Sequence, residues 1–139
     1  MLEQKVKLPL LLLRLGVFVM FAVWVADKFL NPAHTAGVWG TFYFIKDVSA
    51  TISYVAGVAQ GAILLGFLLG FAKRITYGFI FLMHLLGTLL PFKIYLAPYD
   101  GANILFFAAW PTLAACAALY LLRDYDTLLS PLSKPARSA

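Results

Sequence analysis

Residues 52–96 read ISYVAGVAQGAILLGFLLGFAKRITYGFIFLMHLLGTLLPFKIYL, and their only charges are Lys73, Arg74 and Lys93. The hydrocarbon core of a bilayer is about 30 Å thick and takes roughly 20 apolar residues of helix to cross. Two such lengths fit here, Ile52 to Ala72 and Ile75 to Leu96, divided by Lys73 and Arg74 alone. So short a break predicts an antiparallel helical hairpin with a tight basic turn.

Working outward, Leu8 to Ala26 and Ala102 to Leu122 reach the same length. The first follows Lys5 and Lys7 as a signal peptide would, but its apolar run is too long and no small-x-small cleavage site comes after it, so it reads as a retained helix. Composition agrees: hydrophobic residues make up 63% of the 139 and charged residues 12%, against about 25% charged in soluble domains. Disordered, collagenous and disulfide-stapled classes are thereby excluded, and Cys116 has no intrachain partner. The expected fold is all-α, an integral membrane four-helix bundle. Residues 1–129 form one transmembrane domain, and 130–139 are expected to be a flexible cytoplasmic tail.

Lys and Arg in short loops are retained on the cytoplasmic side. With both termini inside, Lys5, Lys7, Arg14, Lys73, Arg74, Arg123, Lys134 and Arg137 lie inside, and Lys28, Lys46 and Lys93 outside. That asymmetry predicts N-in and C-in, and it accounts for the net charge of +5 without nucleic acid. Between helices 1 and 2, the segment from Asp27 to Thr51 carries Trp39, Phe42, Tyr43 and Phe44. It is expected to lie in the outer interface, with a short helix capped by Asn31 or Thr35.

Inside the spans, Gly57 with Gly61 and Gly66 with Gly70 are four apart, the spacing that lets helix backbones approach in lipid. Pro91 and Pro111 are expected to kink spans three and four. Ionisable groups at membrane depth are expensive and point to function by default. His84 lies mid-span, on a polar stripe with Tyr77, Thr88 and Tyr95, and Gln60 of span two lies at similar depth. Two readings of His84 stand: a clasp to Gln60 or Tyr77, or a ligand-facing or proton-handling residue. Arg14 either snorkels inward or pairs with Asp124 or Asp126, tying the first helix to the last. Asp27, Lys28 and Lys93 gather with His34, Lys46, Asp47 and Asp100 at the outer ends, either as an outward-facing polar pocket or as a solvated rim.

The chain has no phosphate-binding glycine loop, HExxH, nucleophile elbow, paired intramembrane carboxylates or evident inverted repeat. His84 and His34 are expected at different depths, which argues against one haem between them. No catalytic or metal-ligating residue is assigned, and the sequence points to a noncatalytic protein.

LLLRLG at 11–16, ADKFLNP at 26–32, AGVAQGAILLGFLLGFAKR at 56–74 and RDYDTLLS at 123–130, taken in order, resemble the DoxX-like group of small four-helix membrane proteins, which is related to the MauE branch. The resemblance implies a bacterial inner-membrane protein attached to a redox system. Members are associated with thiosulfate oxidation coupled to quinone, with oxidative-stress complexes and with maturation of periplasmic amine dehydrogenases. Arg14, Lys28 and the position of Gln60 map onto the family pattern. The chain departs from it with Gln60 where relatives commonly carry a carboxylate, and with Asp27 where a small residue is common.

The function expected from these features is that of an accessory or anchoring subunit of a membrane-linked redox complex. It would be surrounded by lipid and would hold a quinone-like or lipid molecule between its helices. The competing expectation is a small-molecule transporter or channel acting as a homodimer.

Overall fold

The computed structural model describes residues 1–133. They are helical throughout their ordered elements, with no strand among the described residues: α1 Leu2–Leu30, α2 Pro32–Phe42, α3 Ala50–Leu69, α4 Lys73–Leu89, α5 Phe92–Leu96, a 3₁₀ helix Asn103–Ala108, and α6 Ala109–Leu121. Three stretches are long and apolar enough to cross a membrane: α1, α3, and the continuous Asn103–Leu121 formed by the 3₁₀ helix and α6. Val19, Val23, Val55, Val58 and Leu65 are largely exposed on the outer faces of α1 and α3. Such surfaces suit lipid, and the molecule has the character of an integral membrane protein.

α1 packs against α3 and α6, and α4 packs against the same two helices, so the four form a ring. Its interior holds Leu10, Val17 and Phe21 of α1, Leu64 and Phe67 of α3, Tyr77 and Ile80 of α4, and Cys116 and Leu119 of α6. α2 folds back onto α1 and α3 beside this ring.

The elements depart from the expected boundaries for local reasons. α1 starts at Leu2 and runs through Pro9, whose missing N–H frees only the carbonyl of exposed Lys5. The hairpin turn is Gly70–Ala72 rather than Lys73 and Arg74. Gly70 adopts φ 72°, and the Phe71 N–H closes on Gly66 O at 2.8 Å, a left-handed stop that releases Lys73 and Arg74 into the first turn of α4.

Pro91 does not kink a continuous helix. α4 ends at Leu89 and Pro91 opens the separate α5, so the expected span from Ile75 to Leu96 is broken in two. Pro111 comes two residues into α6, close to where the continuous Asn103–Leu121 stretch passes from 3₁₀ to α winding.

The interfacial segment between Asp27 and Thr51 contains more helix than expected. α1 continues to Leu30, and α2 then starts with Asn31 at its N-cap and Pro32 in its first turn, without a side-chain cap bond from Asn31. The expected flexible tail opens with anchored residues. The Ser130 hydroxyl is bound by Arg14, and the Leu132 N–H donates to Leu69 O at 3.1 Å. Residues 134–139 of that tail lie outside the described residues.

Candidate functional site

A cavity of about 1070 Å³ opens between α1, α2, α4 and α6, with Gln60 of α3 on its wall. On α1 it is lined from Leu12 to Lys28, a length of about 24 Å at the helical rise per residue. Its walls are mostly apolar and aromatic, as small-molecule sites usually are, with a few polar groups among them. Those groups include Lys28, His34, Gln60 and His84. Gly16 faces the cavity, and a Cβ built there would meet nothing within 4 Å.

His84 is half-buried on α4 with its ring edge-on to Phe21, at 6.1 Å between centroids. Its Nε2 lies 3.0 Å from the Ala109 carbonyl oxygen. A carbonyl only accepts, so Nε2 carries the proton and donates, which leaves the Nδ1 lone pair as an acceptor in the neutral ring. The expected clasp to Gln60 or Tyr77 is therefore not made; the imidazole reaches α6 instead. Gln60 and His84 are joined by the cavity they both line, with no bond between them.

The expected polar stripe on α4 divides along the helix axis. Thr88 is buried, its hydroxyl donating to His84 O at 2.7 Å, one turn back on its own helix. Tyr77 lies two turns from His84, about 10 Å along the axis, and belongs to a separate polar centre. There the Tyr77 hydroxyl donates to Asp126 Oδ2 at 2.8 Å, and Arg14 Nη1 donates to the Tyr77 oxygen at 3.4 Å. Arg14 and Asp126 form the expected tie between the first helix and the end of the last, with Nε and Oδ2 3.6 Å apart. Arg14 also donates to Ser130 Oγ and to the carbonyls of Leu128 and Leu129. Lys73 adds a second cation, its Nζ donating to the carbonyls of Arg123 and Asp126.

At the far end of α1, Asp27 Oδ2 accepts from His34 Nδ1 at 2.8 Å and from Thr35 Oγ1 at 3.4 Å. His34 in turn stacks on Trp24, with an interplanar angle of 16°. Lys28 is 5% exposed, and its Nζ donates to Trp24 O at 3.2 Å. Its backbone carbonyl accepts from Ser53 Oγ at 3.0 Å. Lys93 is exposed on α5 and does not line the cavity. The expected outer cluster thus contributes Lys28 and His34 to the cavity and leaves Lys93 on the rim.

The sequence reading missed Gly16, Trp24, Trp39 and Tyr43 as cavity walls. An available signal was the small Gly16 two residues after the buried Arg14, on a face whose neighbours are large. Burial raises the Tyr43 phenol above its ordinary value of 10.0. Among the described residues no three His, Cys, Asp or Glu side chains group to hold a metal ion. No family model, no curated protein and no solved structure matches the chain.

Proposed function

We propose that this is a noncatalytic, DoxX-like protein of the bacterial inner membrane. The chain crosses the bilayer four times with both ends cytoplasmic, α4 and α5 together making the third crossing. It serves as an accessory or anchoring subunit of a membrane-linked redox system and holds a quinone-like or lipid molecule inside its helices. The observation that carries this reading is the long cavity of about 1070 Å³, whose walls are mainly apolar and whose polar groups are few. A path for a polar solute would need polar groups along its whole length, whereas here the walls from Leu12 to Val17 on α1 are apolar, which favours retention of an apolar chain over passage of such a solute. The redox association and the membrane rest on the resemblance of the four motifs and on the basic asymmetry of the loops.

Gly16→Trp tests the reading, because the indole would occupy the cavity from a position where nothing opposes it. Small molecules that co-purify from native membranes with the unaltered protein should be absent from the variant by mass spectrometry, at unchanged thermal unfolding in detergent. An identical set of bound molecules in both proteins would remove the cavity as the site, and the proposed function with it.

A further inference from the structure

Among the polar groups on the cavity wall, Lys28 is the one that carries an ammonium. It is 5% exposed. An ammonium has three donors, and the bond made by Lys28 Nζ goes to a carbonyl of its own helix, Trp24 O. The neighbouring carboxylate, Asp27, is engaged by His34 and Thr35. No carboxylate lies within ion-pair distance of Lys28 among the described residues. Asp27 acts on Lys28 through space, from beyond ion-pair distance; a buried ammonium with no carboxylate bonded to it is costly, and an anion arriving from outside the chain relieves that cost.

The polar groups also have an order. Gly57 of α3 lies against the Lys28 Cβ and Gly61 against Val25, so Gln60 sits about one turn deeper than Lys28. His84 is at the level of Phe21, deeper again. From there to Leu12 the α1 wall is apolar. Trp24 and Trp39 line the cavity along with Lys28, and amphipathic indoles suit a boundary between head and chain.

We propose that the cavity takes a long-chain amphiphile with an anionic head, carboxylate or phosphate, which accepts from Lys28 Nζ while its chain lies along α1 toward Leu12. The assignment rests on the ligand-holding reading above and narrows it to a class of head group. The chemistry is shared by a free fatty acid and an anionic phospholipid of the bilayer.

The test uses the delipidated full chain in detergent, in a Trp110→Phe background, with bromine quenching of Trp24 and Trp39 fluorescence as the signal. The probes are bromostearic acid, brominated phosphatidylglycerol and, as the neutral control, bromostearyl alcohol. At least one anionic probe should quench at a concentration about tenfold or more below the alcohol, the factor that one charge-assisted hydrogen bond supplies. Whichever of the two anions does so identifies the source. Lys28→Met should remove that preference and leave the alcohol unchanged, while Lys28→Arg should keep it. Equal quenching by acid, phospholipid and alcohol in the unsubstituted protein would overturn the anionic head and leave the ligand-holding reading intact. Absence of quenching by all three would overturn both.

Discussion

Arg14 Nε and Asp126 Oδ2 stand 3.6 Å apart with both side chains sealed from solvent, so the middle of α1 is joined to the turn that follows α6 by a desolvated ion pair. Nε and Asp126 Oδ1 make no hydrogen bond among the described residues, and the remaining capacity of the pair is met by Tyr77, Ser130 and backbone carbonyls. Removing one partner of such a pair leaves an uncompensated charge, a loss of about 3–5 kcal/mol, whereas apolar replacement of both is often neutral. Arg14→Ala and Asp126→Ala should each lower thermal stability in detergent by that order. Arg14→Met combined with Asp126→Leu should recover most of it. Single variants that melt like the unsubstituted protein would show that the pair does not hold the chain end.

Gly70→Ala should destabilise more than Gly61→Ala. Gly70 has φ 72°, and a Cβ there would come within 2.8 Å of the Ser130 Cβ. The backbone term alone is about 1 kcal/mol, and displacement of Ser130 would also disturb the Arg14 site. At Gly61 the nearest atom is Val25 Cγ1 at 3.5 Å, an ordinary contact. Equal melting temperatures for the two variants would contradict the left-handed turn.

These glycines illustrate what could be read from sequence. Their spacing of four identified a close-packed face, and Gly57 and Gly61 do meet α1. Gly70 obeys the same spacing for another reason, the left-handed stop, and spacing does not distinguish a packing glycine from a capping one. Pro91 misled in a similar way: the apolar run around it has no punctuation to reveal whether it lies inside a helix or at its start. Of the site, His84, Gln60 and Lys28 were legible as polar residues in apolar surroundings. The division of Tyr77 from His84 was not, since residues seven apart share a face and only the three-dimensional position of the chain end assigns Tyr77 to Asp126.

The proposed orientation places Ser133 and Thr41 on opposite sides of the membrane. In a Cys116→Ala background, an impermeant thiol reagent added to intact cells should label Thr41→Cys and leave Ser133→Cys unlabelled until the cells are opened. Labelling of both from outside would refute an arrangement with four crossings and cytoplasmic ends.

Tyr43 carries a pH dependence whose sign follows from its burial. Its phenol titrates above the ordinary value of 10.0 in the folded chain, so above that pH the unfolded state gives up a proton that the folded state retains. Stability then falls as pH rises from about 10 through the folded value, and below about 10 this group contributes no slope. Tyr43→Phe should flatten the decline of melting temperature measured above pH 10 and leave the curve at neutral pH unchanged in shape. Superimposable slopes for the two proteins would place Tyr43 in a wetter setting than the cavity wall.

His84 separates a role in holding the fold from a role in holding a ligand. Its Nε2 bond goes to Ala109 O, a carbonyl within α6, so losing it forfeits a single hydrogen bond, about 0.5–1.5 kcal/mol. Its Nδ1 acceptor has no such duty, and the ring forms part of the cavity wall. His84→Gln retains a donor for Ala109 O but replaces the flat ring and its titratable acceptor. The expected outcome is a small change in melting temperature with a clear loss of the co-purifying small molecule, measured on the same preparation by calorimetry and mass spectrometry. A large drop in melting temperature with full ligand content would assign His84 to the joint between α4 and α6 and take it out of the site.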